Sequence, residues 1–137
     1  MDAIKFETGL KTFDVNGAVE VTFNPTSAAF LRKLQATAEE LNAVHERFAA
    51  DAKNGDALTL LEKADAEMRK ILDGVLGEGF CAAAVPPDDA LLLDIGGGFP
   101  IWANIILAIL GKMDDSLTAE KGVAEKRIRK YSAKYHK

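Results

Sequence analysis

Apolar and polar residues alternate along the first 23 residues in the way that is typical of β-strands. Ile4 and Phe6 alternate with charged neighbours, and two further alternating runs lie on either side of Asn16-Gly17. An Asn-Gly pair between two such runs is a strong signal for a tight turn. The pattern therefore predicts a β-hairpin within residues 4–23.

The register of this hairpin depends on the length of its loop. A two-residue loop, Asn16-Gly17, puts Phe13 and Val19 on opposite faces. A three-residue loop, Val15-Asn16-Gly17 with Gly17 in the left-handed conformation, places Phe13 opposite Val19 and collects the apolar residues on one side. We expect the second register, because it gives the hairpin a single apolar face.

The chain after the hairpin has the three- and four-residue spacing of amphipathic helices. Apolar residues recur in this way over about residues 27–53 and again over about 57–76, with the stop-and-cap sequence Asn54-Gly55-Asp56 between them. The two helices can form an antiparallel hairpin or one long bent rod. The first helix can take its cap from Asn24, Thr26 or Ser27.

The last third of the chain predicts a short helix, a break and a long helix. Residues 80–85 fit the short helix, and Gly96-Gly97-Gly98 is a flexible break. The long helix begins near Phe99, reaches about Ser116 and can resume at Thr118. Between residues 99 and 110 it is apolar on nearly every side, which is typical of a buried helix.

These elements predict a mainly α fold with an N-terminal β-hairpin, of the α+β class. Its helical body consists of two long amphipathic helices and a buried C-terminal helix. A chain of 137 residues suits one domain, which we place at residues 1–120, with the hairpin at 4–23 and the body at 25–120. Residues 121–137 are a basic tail, helical or frayed.

Charge is distributed unevenly between this tail and the rest of the chain. Residues 120–137 contain seven Lys or Arg and two Glu, a net of +5, which leaves −9 for residues 1–119. Because DNA-binding domains carry their basic residues along a folded face, we favour a solvated helix end, and nucleic acid is an unlikely partner. The alternative is a nucleic-acid-binding accessory protein that uses Lys126, Arg127, Arg129, Lys130, Tyr131 and Tyr135.

The chain lacks the residue sets that catalysis, metals or nucleotides require. Cys81 is the only cysteine and lies among small apolar residues, which predicts a buried, inert thiol. His45 has no second His or Cys at metal-ligand spacing, so we interpret it as structural. Gly96-Gly97-Gly98 is not followed by the Lys-Ser/Thr of a phosphate-binding loop. We therefore expect no enzyme, no metal and no cofactor.

The compartment that we expect is a reducing cytoplasm. A single cysteine permits no intramolecular disulfide, and residues 1–11 do not have the pattern of a secretory signal. The most apolar run, Ile101–Leu110, is about 15 Å long as a helix, which is half of what a membrane span needs. We expect no membrane association.

Apolar helix surface is the feature that remains for function. It can serve self-association or hold an apolar helix of a partner. Those candidates that are exposed in the monomer belong to an interface, and those that are buried belong to the core. The candidate protein-binding residues are Phe30, Leu34, Leu41, Phe48, Ile101, Trp102, Ile105 and Ile109. Val19, Val21 and Phe23 are candidates for a strand-edge contact with another subunit.

Four segments of the sequence carry a family resemblance. They are FDVNGAVEVTF, the helix entry NPTSAAFLRKL, ADAEMRKILDGVLGEGF and the apolar helix GFPIWANIILAIL. Their order resembles that in the small tail assembly chaperones of long-tailed (siphovirus-type) bacteriophages and prophages, and DGVLGEGF is the most similar stretch. The resemblance covers about residues 4–115. The proline-rich Val85-Pro86-Pro87 and the basic tail depart from it.

The resemblance implies a non-enzymatic role in tail morphogenesis. Such chaperones coat the long, helical, aggregation-prone tape measure protein in the host bacterial cytoplasm. They self-associate around it, help to recruit tail tube protein and are absent from the mature virion. The resemblance assigns no role to the basic tail.

Overall fold

The computed structural model describes residues 1–135, and after Glu120 it describes the backbone alone. It confirms the predicted fold class, a mainly helical chain with an N-terminal two-stranded antiparallel hairpin. The elements in chain order are β1 (Lys11–Val15), β2 (Val19–Phe23), α1 (Ala28–Asp51), α2 (Ala57–Leu76), α3 (Phe80–Ala84), β3 (Ile95–Gly96), β4 (Phe99–Pro100) and α4 (Ile101–Tyr135). No helix in the described part of the chain combines the length and the hydropathy of a membrane span.

The β1–β2 hairpin has a three-residue loop, as predicted, but a different register. Val15 pairs with Val19 and Phe13 pairs with Val21, so the expected pairing of Phe13 with Val19 is wrong. The two registers differ by a shift of two residues. Because side chains alternate with a period of two along a strand, this shift keeps the apolar residues on one face.

The hairpin turn explains where the extra loop residue lies. Asn16 and Gly17 are both left-handed, with φ of 54° and 70°. The amide of Ala18 donates to the carbonyl oxygen of Val15 at 3.0 Å, which closes a turn of the primed type that suits hairpins. The left-handed Gly17 is confirmed, and the third loop residue is Ala18 instead of Val15.

The chain before β1 forms no strand, although the predicted hairpin begins at residue 4. Ile4 and Phe6 are 90% and 80% exposed. Gly9 turns the chain with φ of 77°, and a Cβ at this position would lie 2.7 Å from Asn24 Nδ2. The same Nδ2 donates to the carbonyl oxygen of Thr8 at 3.0 Å. This left-handed turn separates residues 1–8 from the hairpin.

The helices α1 and α2 form an antiparallel hairpin rather than one bent rod. A short connection at residues 52–56 joins them, and Arg47 Nη2 lies 2.8 Å from Glu67 Oε1 across the pair. The side chains that meet between the helices are fully buried because both apolar stripes face inward. They include Leu34, Leu41, Met68 and Leu72, all at 0% exposure.

Side-chain caps begin both helices. Ser27 is the cap of α1, and its Oγ accepts from the amide of Phe30 at 3.1 Å. Asp56 is the cap of α2, and its carboxylate accepts from the amides of Leu58 and Thr59. Each cap satisfies amides that have no partner within the helix. The helix starts therefore lie where the sequence places them.

The last helix is longer than predicted and is buried along one side. It continues to Tyr135 instead of ending near Ser116. Its buried residues recur at three- and four-residue steps and are Trp102, Ile106, Ile109 and Met113. Leu107 and Leu117 are half exposed. The C-terminal helix is thus buried as expected, but the apolar run from 99 to 110 is covered on one side and not all round.

The glycine triplet before α4 forms a tight hairpin where the sequence predicts a flexible break. Ile95 pairs with Pro100 and Gly96 with Phe99. Gly97 and Gly98, with φ of 64° and 92°, make the turn between them. Because glycine has no Cβ, it adopts both of these positive-φ conformations without strain.

Candidate protein-binding groove

An open groove of about 830 Å³ lies between the β1–β2 hairpin, α3 with its following loop, and α4. We call it the hairpin–α4 groove. Its lining is mostly apolar and consists of Phe13, Val15, Val21, Phe23, Phe80, Ala84, Val85, Pro86, Ala90, Ile101, Ile105, Ala108 and Ile109. Polar side chains also line it, namely Thr12, Asp14, Asn16, Asn104 and Lys112.

Three stacked aromatic rings attach the hairpin wall of the groove to the helical body. The ring of Phe13 stacks on Phe23 with centroids 4.8 Å apart, and Phe23 stacks on Phe30 of α1 at 4.6 Å. Phe23 is 4% exposed. Because the middle ring is buried, the hairpin has a fixed position on the body, and Phe13 and Val15 remain half-buried at the groove.

One face of α4 forms the opposite wall. Ile101, Ile105, Ala108 and Lys112 follow one another at steps of four, three and four residues, so they share one side of the helix. Ile101 and Ile105 are half-buried, and Ala108 is exposed. This face combines three apolar side chains with one cation at its far end.

A half-buried arginine, Arg69, holds the third wall, the segment from α3 onward, against α2. Arg69 Nε donates to Asp65 Oδ2 at 2.6 Å. Its two Nη atoms donate to the carbonyl oxygens of Cys81 at 3.2 Å, Val85 at 2.6 Å and Ala90 at 2.9 Å. One guanidinium thus satisfies three carbonyl groups of a segment that contains little regular structure of its own.

Two carboxylates of α2 complete this anchor. Asp65 Oδ1 accepts from the amide of Leu92 at 2.7 Å, and Asp73 Oδ1 accepts from the amide of Cys81 at 2.9 Å. Sequence reasoning missed the anchor. Its signal is the pair Asp65 and Arg69, four residues apart and inside the apolar stripe of α2, where solvent-exposed charges are not expected.

The structure confirms that Cys81 is buried. It is 1% exposed, and burial together with the neighbouring carboxylate of Asp73 raises the pKa of the thiol to about 12. A thiol in this state is a poor nucleophile, because the thiolate is the reactive form.

His45 lies half-buried where the sequence places it, and its role is a contact between helices. Its Nδ1 accepts from Nε1 of Trp102 at 3.2 Å, and the rings meet edge to face with centroids 6.0 Å apart. Among the described residues, no group of His, Cys, Asp and Glu has the arrangement of a metal site.

Of the predicted protein-binding residues, some lie in the core, some line the groove, and Phe30 and Phe48 do neither. Leu34 and Leu41 are fully buried, and Trp102 and Ile109 are each 8% exposed, so these four belong to the core. The half-buried ones are Phe30, Phe48, Ile101 and Ile105. Of the eight, only Ile101, Ile105 and Ile109 line the groove.

The predicted edge-strand residues turn toward the body. Val21 and Phe23 are each 4% exposed and belong to the lining of the groove. Val19 is half-buried beside the hairpin turn. Sequence reasoning missed Phe13 and Val15 as groove residues, although the single apolar face of the hairpin was their signal. The tail candidates, Lys126, Arg127, Arg129, Lys130, Tyr131 and Tyr135, lie outside the described side chains.

Comparison of the chain with protein-family models, with curated proteins and with solved structures gave no match. The groove is therefore the feature on which a function can be proposed.

Proposed function

We propose that this protein is a non-enzymatic binding protein that holds an apolar helical segment of another protein in the hairpin–α4 groove. The observation that supports the proposal is the groove itself, which is large, open and lined mainly by apolar side chains on three elements. Amphipathic helices dock into such grooves through apolar anchors spaced three and four residues apart.

The dimensions of the groove suit a short helical segment. The groove face of α4 extends from Ile101 to Lys112, which is about 16 Å along the helix axis and matches about three turns of a partner helix. Phe13 and Val15 supply apolar contacts from the other side. Because the Arg69 anchor and the aromatic stack hold these walls in place, binding requires little reorganisation of the groove.

The resemblance to tail assembly chaperones supplies the partner in this proposal. A tape measure protein presents long apolar helical segments that need a cover before the tail tube is built around them. We propose that this chain covers such segments in the host bacterial cytoplasm, self-associates along them, helps to recruit tail tube protein and does not remain in the mature virion.

Filling the groove tests this function. Ala108 lines the groove and is exposed, so Ala108→Arg places a charge in the groove without disturbing the core. We expect the wild-type chain to keep a co-expressed apolar helical fragment of a tape measure protein soluble. We expect Ala108→Arg to bind a fluorescently labelled peptide from this fragment at least about tenfold more weakly, measured by anisotropy.

The matched control is Ala36→Arg, which makes the same substitution at an exposed position of α1 that does not line the groove. It should bind the peptide like the wild type. Equal weakening by both variants, or unchanged binding in Ala108→Arg, would show that the groove is not the binding site. Failure of the wild type to bind or solubilise any tape measure fragment would exclude the chaperone role.

A further inference from the structure

A second apolar surface of α4 lies on the side opposite the groove. It consists of Ala103, Leu107, Leu110, Asp114 and Leu117, at alternating steps of four and three residues, and we call it the α4 stripe. Because successive residues of a helix are about 100° apart, the stripe lies about 180° from the groove face. Leu107 and Leu117 are 51% and 49% exposed, and Asp114 is also exposed, whereas Ala103 and Leu110 are half-buried against the core.

The sequence continues this spacing beyond the described side chains. The next residues at steps of four and three are Lys121, Ala124, Ile128, Tyr131 and Tyr135. The backbone of α4 is helical without interruption to Tyr135. An alternation of three and four residues, a mean period of 3.5, is the pattern by which one helix pairs with another in a coiled coil.

We propose that the α4 stripe binds the α4 helix of a second copy of this chain in antiparallel orientation. Two charged residues within the 3.5-residue pattern, Asp114 and Lys121, determine the orientation. A parallel, in-register pair places each of them against its own counterpart, so that like charges meet twice at the centre of the interface.

The antiparallel arrangement removes both repulsions. In an antiparallel coiled coil, the a positions of one helix face the d positions of the other. Here Asp114 and Lys121 are a positions, and Leu117 and Ala124 are d positions. Asp114 then lies opposite Ala124 of the second copy, and Leu117 lies opposite its Lys121. In this register, Asp114 of one copy and Lys121 of the other occupy neighbouring layers of the pair, so that residues of opposite charge are adjacent.

The charges of the two paired segments agree with the same arrangement. Antiparallel pairing brings residues 121–135 of one copy alongside residues 103–117 of the other. Residues 121–135 contain six Lys or Arg and one Glu, a net of +5, whereas residues 103–117 contain Lys112, Asp114 and Asp115, a net of −1. Complementary charges of this kind accelerate association and disfavour the parallel alternative. In this arrangement the partner of the basic tail is a second copy of this chain and not nucleic acid.

Sedimentation equilibrium of the full chain tests the stripe. We expect a dimer for the wild type and a dissociation constant about a hundredfold higher for Leu107→Gln/Leu117→Gln, because four leucines leave the interface. Both leucines are half exposed in the monomer, so their replacement preserves the fold, which circular dichroism verifies. The control Asp115→Gln/Ala119→Gln changes exposed residues of α4 outside the stripe and should dimerise like the wild type.

Two results overturn the stripe as an interface. One is a wild-type chain that stays monomeric at high concentration. This result overturns the interface whether or not the basic tail then shows salt-sensitive binding to DNA. The other is a dimer that Leu107→Gln/Leu117→Gln leaves unchanged.

Disulfide trapping tests the orientation. In the antiparallel pair, Leu107→Cys/Tyr131→Cys forms a disulfide-linked dimer under mild oxidation, because the two positions of the 3.5-residue pattern face each other across the interface. The two cysteines are too far apart along one helix to bond within a chain. Leu107→Cys alone should stay monomeric on a non-reducing gel. Both variants keep Asp114 and Lys121, so a linked dimer of Leu107→Cys alone would indicate parallel pairing and overturn the proposal.

This inference rests on the self-association within the proposed function and gives it a surface. The groove and the α4 stripe lie on opposite sides of one helix, so their variants separate the two ideas. Ala108→Arg should lose peptide binding and keep the dimer, and Leu107→Gln/Leu117→Gln should lose the dimer and keep peptide binding.

Discussion

At the scale of single residues, Arg69 connects more of the chain than any local pattern indicates. Its guanidinium reaches one carboxylate on its own helix and three carbonyl oxygens that are 12 to 21 residues away along the chain. The side chains of Arg69 and Asp65 are only 13% and 6% exposed. A buried ion pair contributes little by itself, but the loss of one partner leaves the other charge uncompensated.

Replacement of this arginine should therefore be severe. Arg69→Met should lower the free energy of unfolding by about 3–5 kcal/mol, because Asp65 then remains buried without its cation and three carbonyl groups lose a donor. Urea denaturation measures the change. The control is Arg47→Met, since the Arg47–Glu67 pair is 57% and 47% exposed and should change stability by at most about 1 kcal/mol. Equal losses in the two variants would contradict the role of the buried anchor.

At the scale of elements, the helices begin where a side chain accepts from their first amides. The N-cap of α2 is the clearer case. Asp56 Oδ2 accepts from the hydroxyl of Thr59 at 2.7 Å, and its carboxylate also accepts from the amides of Thr59 and Leu58. These hydrogen bonds, the one from the Thr59 hydroxyl first, lower the pKa of Asp56 below its ordinary value of 3.8.

A lowered native pKa makes the contribution of this cap depend on pH. The ionised carboxylate stabilises the folded chain above pH 3.8, and this contribution is lost as the pH falls through the lower native pKa. Asp56→Ala should therefore lower the melting temperature at pH 7, and the difference from the wild type should shrink on acidification to about pH 2. Asp56→Asn keeps a neutral acceptor, so its melting temperature at pH 7 should lie between those of Asp56→Ala and the wild type. A difference that grows on acidification would contradict this assignment.

At the scale of the whole molecule, α4 is attached to the α1–α2 hairpin through its buried face. Trp102 is 8% exposed, and its Nε1 has His45 Nδ1 on α1 as acceptor. This hydrogen bond joins residues 57 positions apart along the chain. The position of α4, and with it one wall of the groove, depends on such long-range contacts.

Removal of the acceptor should loosen this attachment. His45→Leu should lower the free energy of unfolding by about 1–3 kcal/mol, because the buried indole N–H loses its partner. Trp102 is the only tryptophan, so its fluorescence reports the docking of α4 directly, and its emission should change in the variant. His45→Gln offers a new acceptor and serves as the control. Unchanged stability and emission in His45→Leu would show that the contact does not hold α4.

Local rules were sufficient for the boundaries of α1 and α2, but not for the start of the β1–β2 hairpin or the end of α4. The sequence predicts α1 within two residues of Ala28–Asp51 and α2 at Ala57–Leu76, because caps and the period of apolar residues depend on neighbours in the chain. The left-handed Gly17 and the single apolar face of the hairpin follow from the same kind of signal. These features need no knowledge of what packs against them.

Only the tertiary structure decided how the elements are used. Leu34, Ile105 and Leu107 are all aliphatic residues at helical spacing, yet the first lies in the core, the second in the groove and the third on the outer stripe. Side-chain chemistry cannot distinguish these positions, because burial depends on which helix covers which face. The hairpin register, the antiparallel arrangement of α1 and α2 and the partners of Arg69 were likewise decided by contacts between residues far apart in the chain.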